Sequence, residues 1–494
     1  MSNISLTAKM SILNATDFYK TDHRRQYPEG TEIVYSNMTA RKSMLPNIHQ
    51  VVFFGLQGFI MSRLQYGFNG DFFLQPKDSA VASYKRRLDN ALGKDAVPVE
   101  HIAALHDLGC LPLRIKAVPE GTLVPIGVPF LTIVNTDKRF YWLTNFIETL
   151  ISCEIWKPIT NATIAFEYRK LIQRYAALTV GNSDFVQWQG HDFSFRGMSG
   201  LEDAARCGAA HLLSFTGTDT IPAIDYLEQY YHADSDKELI GGSVPATEHS
   251  VMCMGQELSE IDTFRRLITE IYPSGVVSIV SDTWDYWNVL TNYAEQLKDV
   301  ILARNGKVVF RPDSGDPVKI IVGDPDAPAG SPQRKGSVEV LSEIFGATIT
   351  NKYHKTLNSH VGLIYGDSIT LERAQAILEG LHQKGFSSDN IVFGIGSYTY
   401  QYNTRDTFGM AVKSTYGEID GRPTNISKNP KTDSGKKSAR GLLQVDLCAD
   451  EVVKQECTWE EEMDGDLKTV FENGRLVRSQ TLQSIRSRVL GLLQ

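Results

Sequence analysis

Cysteine is scarce in this 494-residue chain: six residues, at positions 110, 153, 207, 253, 448 and 457, with none in CxxC spacing. That scatter excludes a disulfide framework and fits reduced core thiols in a cytosolic protein. Long apolar runs are also missing. The longest, Val51 to Met61, is too short to span a bilayer and reads as core. The opening MSNISLTAKMSILNATDFYK lacks a basic region followed by an uninterrupted apolar stretch, so no export signal is expected. Positive charge is in deficit, with 50 Lys and Arg against 58 Asp and Glu and a net charge of -8. This argues against a general nucleic-acid surface and leaves room for a local basic pocket. There is no repeat of fixed period and no low-complexity tract. Spacings such as HxH or HExxH are absent, so a metal-dependent hydrolase built on His249, Asp282 and Asp313 has no motif behind it.

Apolar residues make up 42% and charged residues 22%, the balance of a soluble globular protein, and the length allows two or more domains. The most informative stretch is Val308 to Asp316, VVFRPDSGD. Val308, Val309 and Phe310 suit a strand covered on both faces. Arg311-Pro312-Asp313-Ser314-Gly315-Asp316 carries turn chemistry and polar groups that cannot be buried unpaired. A cation beside hydroxyl-binding carboxylates suggests a ligand with both phosphates and a sugar. Similar apolar runs ending in Gly, Ser or Asp occur at Leu212 to Asp219, Val276 to Asp282, Val361 to Asp367 and Ile391 to Ser397. Between them, His249 to Ile271, Thr283 to Leu302 and Leu371 to Leu381 have helical spacing. The alternation predicts parallel βα units whose polar strand ends converge on one ligand site.

The flanks read differently. Leu111 to Asp137 alternates strand-like runs with Pro and Gly turns and predicts antiparallel sheet; Tyr141 to Trp156 and the Ile164 to Leu178 stripe predict core helices. His191 to Ser199, HDFSFRGMS, reads as a site loop more than a core strand. After Ser397 come Arg405, Lys413, a Lys, Gly and Ser-rich stretch from Ser427 to Gly441, a hairpin at Asn473-Gly474 and a final amphipathic helix. The expected organisation is α/β: residues 1-160 and 401-494 joined in one α+β domain, with a barrel over 161-400.

In order along the chain stand ATDFYK, VPEG, NTD with WLTN, HDFSFRG, FTGTDT, VPATEHS, VSIVSD, RPDSGDP, YGDS, FGIGS and TRD. This set, spread over nearly the whole chain, resembles the nicotinamide phosphoribosyltransferases. The resemblance implies a cytoplasmic homodimeric type II phosphoribosyltransferase with an irregular α/β barrel and active sites shared across the dimer. It implies displacement of pyrophosphate from C1 of 5-phosphoribosyl 1-pyrophosphate by the ring nitrogen of nicotinamide, in NAD salvage, with Mg²⁺ and with ATP as co-substrate. Such chemistry needs positioning and charge neutralisation rather than a nucleophilic Ser or Cys. Nucleic acid and membrane are not expected partners.

By the same resemblance Asp219 accepts from the nicotinamide amide, Phe193 stacks on the pyridine ring, and Asp17 and Tyr19 reach in from the other subunit. Read from the residues alone, Asp219 favours a helix cap, Phe193 and Tyr19 favour core, and Asp17 is an exposed acid. Arg196 and Arg311 match diphosphate-binding arginines, their forks suiting phosphate oxygens, while an Arg311–Asp313 structural pair stays open. Asp313, Gly366 and Asp367 match positions holding the ribose and its phosphate. Gly396, Ser397, Arg405 and Lys413 match the 5′-phosphate site. Animal members carry a glycine run where this chain has Gly394-Ile395-Gly396-Ser397-Tyr398. His249 matches a histidine phosphorylated from ATP, which also contacts the diphosphate. Glu248, Ser278 and Asp282 read as supporting or metal-site groups, although no metal ligand set is assigned. Lys428, Lys436 and Lys437 read as a basic loop over nucleotide phosphates, or as solvated charge. The alternatives are a nicotinate phosphoribosyltransferase, which Asp219 argues against, and a non-catalytic binding protein on the same scaffold.

Overall fold

A computed structural model describes residues 10–181, 184–366, 368–428 and 439–493. The chain divides into two compact units, one of residues 1–163, 229–232 and 403–492, the other of residues 164–228, 233–402 and 493–494.

The second unit is built on a six-stranded parallel sheet. Its order is Gly217–Thr218, Gly190–Asp192, Val392–Ile395, Val361–Tyr365, Asn305–Arg311 and Ser274–Val280. Val277, Ile279, Val308 and Phe310 are buried, as expected for strands covered by helices. Register follows the apolar residues, with Val277 opposite Val308 and Ile279 opposite Phe310. The polar residues after each strand therefore emerge at one end of the sheet.

Residues 242–246 connect the two edges of this sheet. Gly242 bridges Gly217 on one side and Ala246 bridges Ser278 on the other, both parallel. Four main-chain bonds hold the segment: Gly242 N–H to Thr216 O (2.8 Å), Thr218 N–H to Gly242 O (2.9 Å), Ser278 N–H to Pro245 O (2.9 Å) and Thr247 N–H to Ser278 O (3.0 Å). The sheet is thereby closed into the irregular barrel expected from the sequence. The closing segment, GGSVPA, reads as loop because its pairing is too short to impose a hydrophobic period.

Several local expectations change. Only Gly217–Thr218 of Leu212 to Asp219 is strand. Leu212, Leu213 and Phe215 are instead buried in the turn that leaves the helix Leu201–His211, because a core-facing helix exit has the same composition as a buried strand. His249 to Ile271 is broken into His249–Met254, a turn at Glu257–Ser259, and Glu260–Arg266 with a wider turn following. The break lies at Gly255-Gln256, where Gln256 adopts a φ of 65°. Gly190–Asp192 is a strand, and the HDFSFRG loop begins only at Phe193.

In the first unit the two ends of the chain share one antiparallel sheet. Its order is Arg422–Asn425, Ala411–Ile419, Thr31–Thr39, Pro129–Asn135, Leu113–Ala117, Lys468–Glu472 and Arg475–Leu476. The last pair is the hairpin at Asn473-Gly474, and Leu482–Gly491 is the final helix. Lys116 on this sheet is buried, with its Nζ 2.9 Å from Glu462 Oε2.

Glu260 is an ionisable group in the wrong place for a charge. It is buried, its Oε1 has no hydrogen-bond partner among the described residues, and burial, with Asp285 and Glu257 adding repulsion, pushes its pKa from 4.5 up to about 7. Between those two values the native state keeps a proton that the unfolded chain has lost. Stability therefore falls as pH rises through that window and stays lowered above it. Glu260→Gln is expected to be more stable than the native protein at pH 8 by roughly 1–2 kcal/mol, with the gain vanishing near pH 4. Urea melts at the two pH values check this; a gain of equal size at both would remove the titration from the explanation.

Candidate active site

Arg311 ends the strand Asn305–Arg311, so its backbone is fixed by sheet bonds while its side chain stands at the polar end. One guanidinium nitrogen, Nη2, donates to the Thr247 carbonyl at 2.9 Å. The Nε is buried with no hydrogen-bond partner among the described residues, and the nearest carboxylate oxygen, Asp313 Oδ1, is 3.9 Å away. An arginine anchored on one side and unsatisfied on the other is arranged to receive an anion.

Asp313 follows across the Pro312 turn and is held by Asp282. The Asp282 Oδ2 accepts from the Asp313 amide (2.8 Å) and from Ser314 Oγ (2.7 Å), and its Oδ1 accepts from His249 Nε2 at 3.2 Å. Burial pushes the Asp282 pKa up, but these donors outweigh it and keep the carboxylate below its usual range. Both of its oxygens are thus engaged by the protein, which suits a scaffold group better than a metal ligand. Gly366 faces Asp313 closely, since a Cβ there would stand 2.0 Å from Asp313 Oδ1. A side chain at 366 would displace that carboxylate, while the backbone there has no positive φ.

The opposite wall comes from the 190s. Asp192 is fully buried and accepts from the Ser194 amide (2.9 Å) and Thr220 Oγ1 (2.7 Å), which ties the HDFSFRG loop to the start of the helix Ile221–Tyr231. Phe193 N–H donates to Ile395 O at 3.0 Å, and its ring lies over Gly394, where a Cβ would come within 2.7 Å of Phe193 Cδ2. Arg196 is exposed and has no partner among the described residues. Ser397 packs onto Gly197, with a Cβ at 197 falling 2.1 Å from its Oγ. His211, pushed down to about 4 by burial and therefore neutral at pH 7, donates from Nε2 to Gly217 O (3.0 Å) and accepts at Nδ1 from Tyr400 (2.7 Å). This ring braces the strand before Asp219 against the short helix Ser397–Tyr400.

Asp219 does not cap its helix. Its Oδ1 accepts from His191 Nε2 (2.8 Å) and Ser243 Oγ (2.6 Å). Burial raises its pKa, but the His191 and Ser243 bonds, with Arg311 nearby, bring it below the ordinary carboxylate value, so it is ionised at neutral pH. Together these side chains enclose a cavity of about 550 Å³ lined by Phe193, Arg196, Asp219, Glu248, Arg311, Asp313, Gly366, Gly396 and Ser397. That is within the usual range for small-ligand sites. Ser278 lies on the adjacent strand, buried, its hydroxyl without a hydrogen-bond partner among the described residues.

Other expected site residues lie elsewhere. His249 is not in the cavity wall; it opens the helix His249–Met254 and meets Asp282. Asp17, Tyr19, Arg405 and Lys413 belong to the sheet unit. There Asp17 accepts from Thr149 Oγ1 (2.5 Å) and the exposed Tyr19 ring lies 5.4 Å from His23. Lys413 has its pKa lowered by burial and by Arg41, Arg405 and Lys20, against the pull of Glu148. Arg41, not singled out from sequence, belongs to this cation cluster. Asp367, Lys436 and Lys437 fall outside the described residues, and Lys428 lies just before that gap. Among the described residues no group of three or more His, Cys, Asp or Glu side chains could hold a metal ion. Asp313 and Glu248 do suit a divalent cation that arrives coordinated by ligand phosphates and needs one or two carboxylates from the protein.

Residues 188–475 match the profile of the nicotinate phosphoribosyltransferase (NAPRTase) family, and residues 11–115 match that of the nicotinamide phosphoribosyltransferase N-terminal domain. The chain is 57% identical to the nicotinamide phosphoribosyltransferase of Acinetobacter baylyi over 99% of each chain. It is 32% identical to that of Xanthomonas campestris over 97% of each. Among solved structures, nicotinate-nucleotide pyrophosphorylase from Pyrococcus furiosus aligns with a TM-score of 0.56 at 14% identity, over 99% of this chain and 98% of that one. Human nicotinic acid phosphoribosyltransferase aligns at 0.54 and 14%, over 96% and 93%. The two structures share the fold with this chain.

Proposed function

The chain belongs to the nicotinate phosphoribosyltransferase family, and on that premise we propose that it transfers phosphoribosyl from 5-phosphoribosyl 1-pyrophosphate to nicotinamide, giving nicotinamide mononucleotide and pyrophosphate. The observation that carries this reading is the ionised Asp219 facing the same cavity as Arg311 and Asp313. An acceptor-only carboxylate attracts the NH₂ of an amide and repels the carboxylate of nicotinate.

In the reaction the ring nitrogen bonds to C1 as the C1–O bond breaks, and the bonding pair leaves with pyrophosphate. Charge builds on the leaving diphosphate, where the guanidinium groups of Arg311 and Arg196, both lining the cavity, supply donors. Asp313 accepts from ribose hydroxyls and stabilises the cationic sugar. Phe193 stacks on the base, and Ser278 offers its hydroxyl to the amide oxygen. Gly366, Gly396 and Ser397 receive the 5′-phosphate, Ser397 through a hydroxyl where animal relatives have glycine. Mg²⁺, when bound, neutralises diphosphate charge, with Asp313 and Glu248 as its protein carboxylates. In a cytoplasmic homodimer, Asp17, Tyr19, Arg405 and Lys413 would complete the site from the partner subunit.

ATP acts as co-substrate through His249, which Asp282 orients by the Nε2 bond. A carboxylate accepting from Nε2 fixes the ring's tautomer and orientation and leaves the Nδ1 lone pair free to accept a phosphoryl group. The test is purified protein with 5-phosphoribosyl 1-pyrophosphate, Mg²⁺ and nicotinamide, with and without ATP. Nicotinamide mononucleotide and pyrophosphate are expected in equal amounts, faster with ATP, and His249→Ala is expected to abolish the ATP stimulation. Stimulation surviving that substitution would remove His249 from its role, and no product at all would favour a silent scaffold.

A further inference from the structure

We propose that His191 and Ser243 are positioning residues that set base selectivity by fixing the Asp219 carboxylate in one orientation. The inference rests on the assignment of Asp219 to the base. Both hydrogen bonds to Asp219, from His191 Nε2 at 2.8 Å and Ser243 Oγ at 2.6 Å, end on the same oxygen, Oδ1. An ionised carboxylate only accepts, so His191 must carry its proton on Nε2 and Ser243 must point its hydroxyl hydrogen at Oδ1. With Oδ1 occupied by the protein, Oδ2 is the oxygen left to meet the ring substituent of the base.

The two donors come from different elements, and that makes the clamp rigid. His191 lies on the strand Gly190–Asp192, paired on one side with Gly394 and on the other with Gly217. Its ring is buried against Gly217, where a Cβ would sit 2.8 Å from Nδ1, and its centroid is 4.6 Å from that of Phe193. Ser243 belongs to the segment that closes the sheet between Gly217 and Ser278. The imidazole that holds the carboxylate also packs beside the Phe193 ring, a contact that a phenyl group at 191 would keep. Removing either donor frees the carboxylate to rotate, and the geometric penalty falls on binding of the base.

The experiment compares His191→Phe, which keeps a buried ring without the donor, His191→Gln, which restores an N–H, and Ser243→Ala, each in the native and the Asp219→Ala background. His191→Phe is expected to raise KM for nicotinamide about 10-fold and to lower the nicotinamide-over-nicotinate preference, with KM for the phosphoribosyl donor within about twofold. His191→Gln should recover part of the loss. In the Asp219→Ala background the same substitutions should change nicotinamide KM by no more than about twofold, because nothing is left to position. Full additivity in that background would overturn the proposal and leave His191 a structural residue. No effect of Asp219→Ala itself on nicotinamide KM would instead remove the underlying assignment. If His191→Phe does not fold, the exposed Ser243 carries the same cycle, and additivity there also overturns the clamp.

Discussion

Arg311→Lys is expected to lower kcat/KM for 5-phosphoribosyl 1-pyrophosphate about 10²–10³-fold, while the thermal midpoint moves by no more than about 3 °C. The guanidinium does two things at once: its Nη2 is spent on the Thr247 carbonyl while the group lines the cavity. A lysine has one nitrogen at the end of a flexible stem, so it can hold the carbonyl or the diphosphate but cannot present a fixed fork to both. The loss should appear in both kcat and kcat/KM, because charge on the leaving group grows toward the transition state. Steady-state kinetics with the donor varied at saturating nicotinamide reads this directly. A decrease under about threefold would mean that Arg311 is a structural partner of Thr247 and Asp313 and little more.

A comparable loss, about 10²-fold or more in kcat/KM, is expected from Gly366→Ala, a change of one methyl group. Gly366 is not among the positive-φ glycines, so alanine is compatible with its backbone. The added carbon would collide with Asp313 Oδ1 at 2.0 Å, and either that carboxylate or the strand end must shift. The Asp282 bond holds the Asp313 backbone in place, so the carboxylate itself must turn aside and leave its position in the site. The double variant isolates the cause: in an Asp313→Ala background the collision is gone, and Gly366→Ala should add no more than about twofold. A full second loss there would assign Gly366 an effect of its own, through the phosphate backbone contact.

Much of this site is legible in the sequence because strand ends carry it. Arg311, Asp313 and Gly366 follow runs whose burial is dictated by composition, and parallel pairing brings such ends together whatever the details of the helices between. The shared sheet of the two chain ends is foreshadowed by the antiparallel pattern of Leu111 to Asp137 and the hairpin at Asn473-Gly474, whereas its central pair, Thr31–Thr39 with Ala411–Ile419, has no reading in the sequence. What sequence does not disclose is side-chain partnership across distance. His191 reads as one more residue of HDFSFRG, and nothing in GGSVPA announces that Ser243 meets Asp219 or that its segment closes the barrel. The glycine constraints at 197, 366 and 394 are equally silent, since the atoms that crowd them lie far away in the chain: the Ser397 side chain at 197, the Asp313 carboxylate at 366, and the Tyr365 carbonyl with the Phe193 ring at 394. Leu212 to Phe215 misleads for the opposite reason: burial alone does not tell a strand from a helix exit.

The central claim is that an ionised Asp219 selects an amide base at a phosphoribosyl-transfer site, and a single competition measures it. Equimolar nicotinamide and nicotinate are offered with 5-phosphoribosyl 1-pyrophosphate, Mg²⁺ and ATP, and the two mononucleotides are separated and counted. The native enzyme is expected to give nicotinamide mononucleotide in excess by about 10²-fold, and Asp219→Ala to lose most of that excess through a lower rate with nicotinamide. Preferential formation of nicotinate mononucleotide by the native enzyme would contradict the account of Asp219 while leaving the fold and the diphosphate site as they stand.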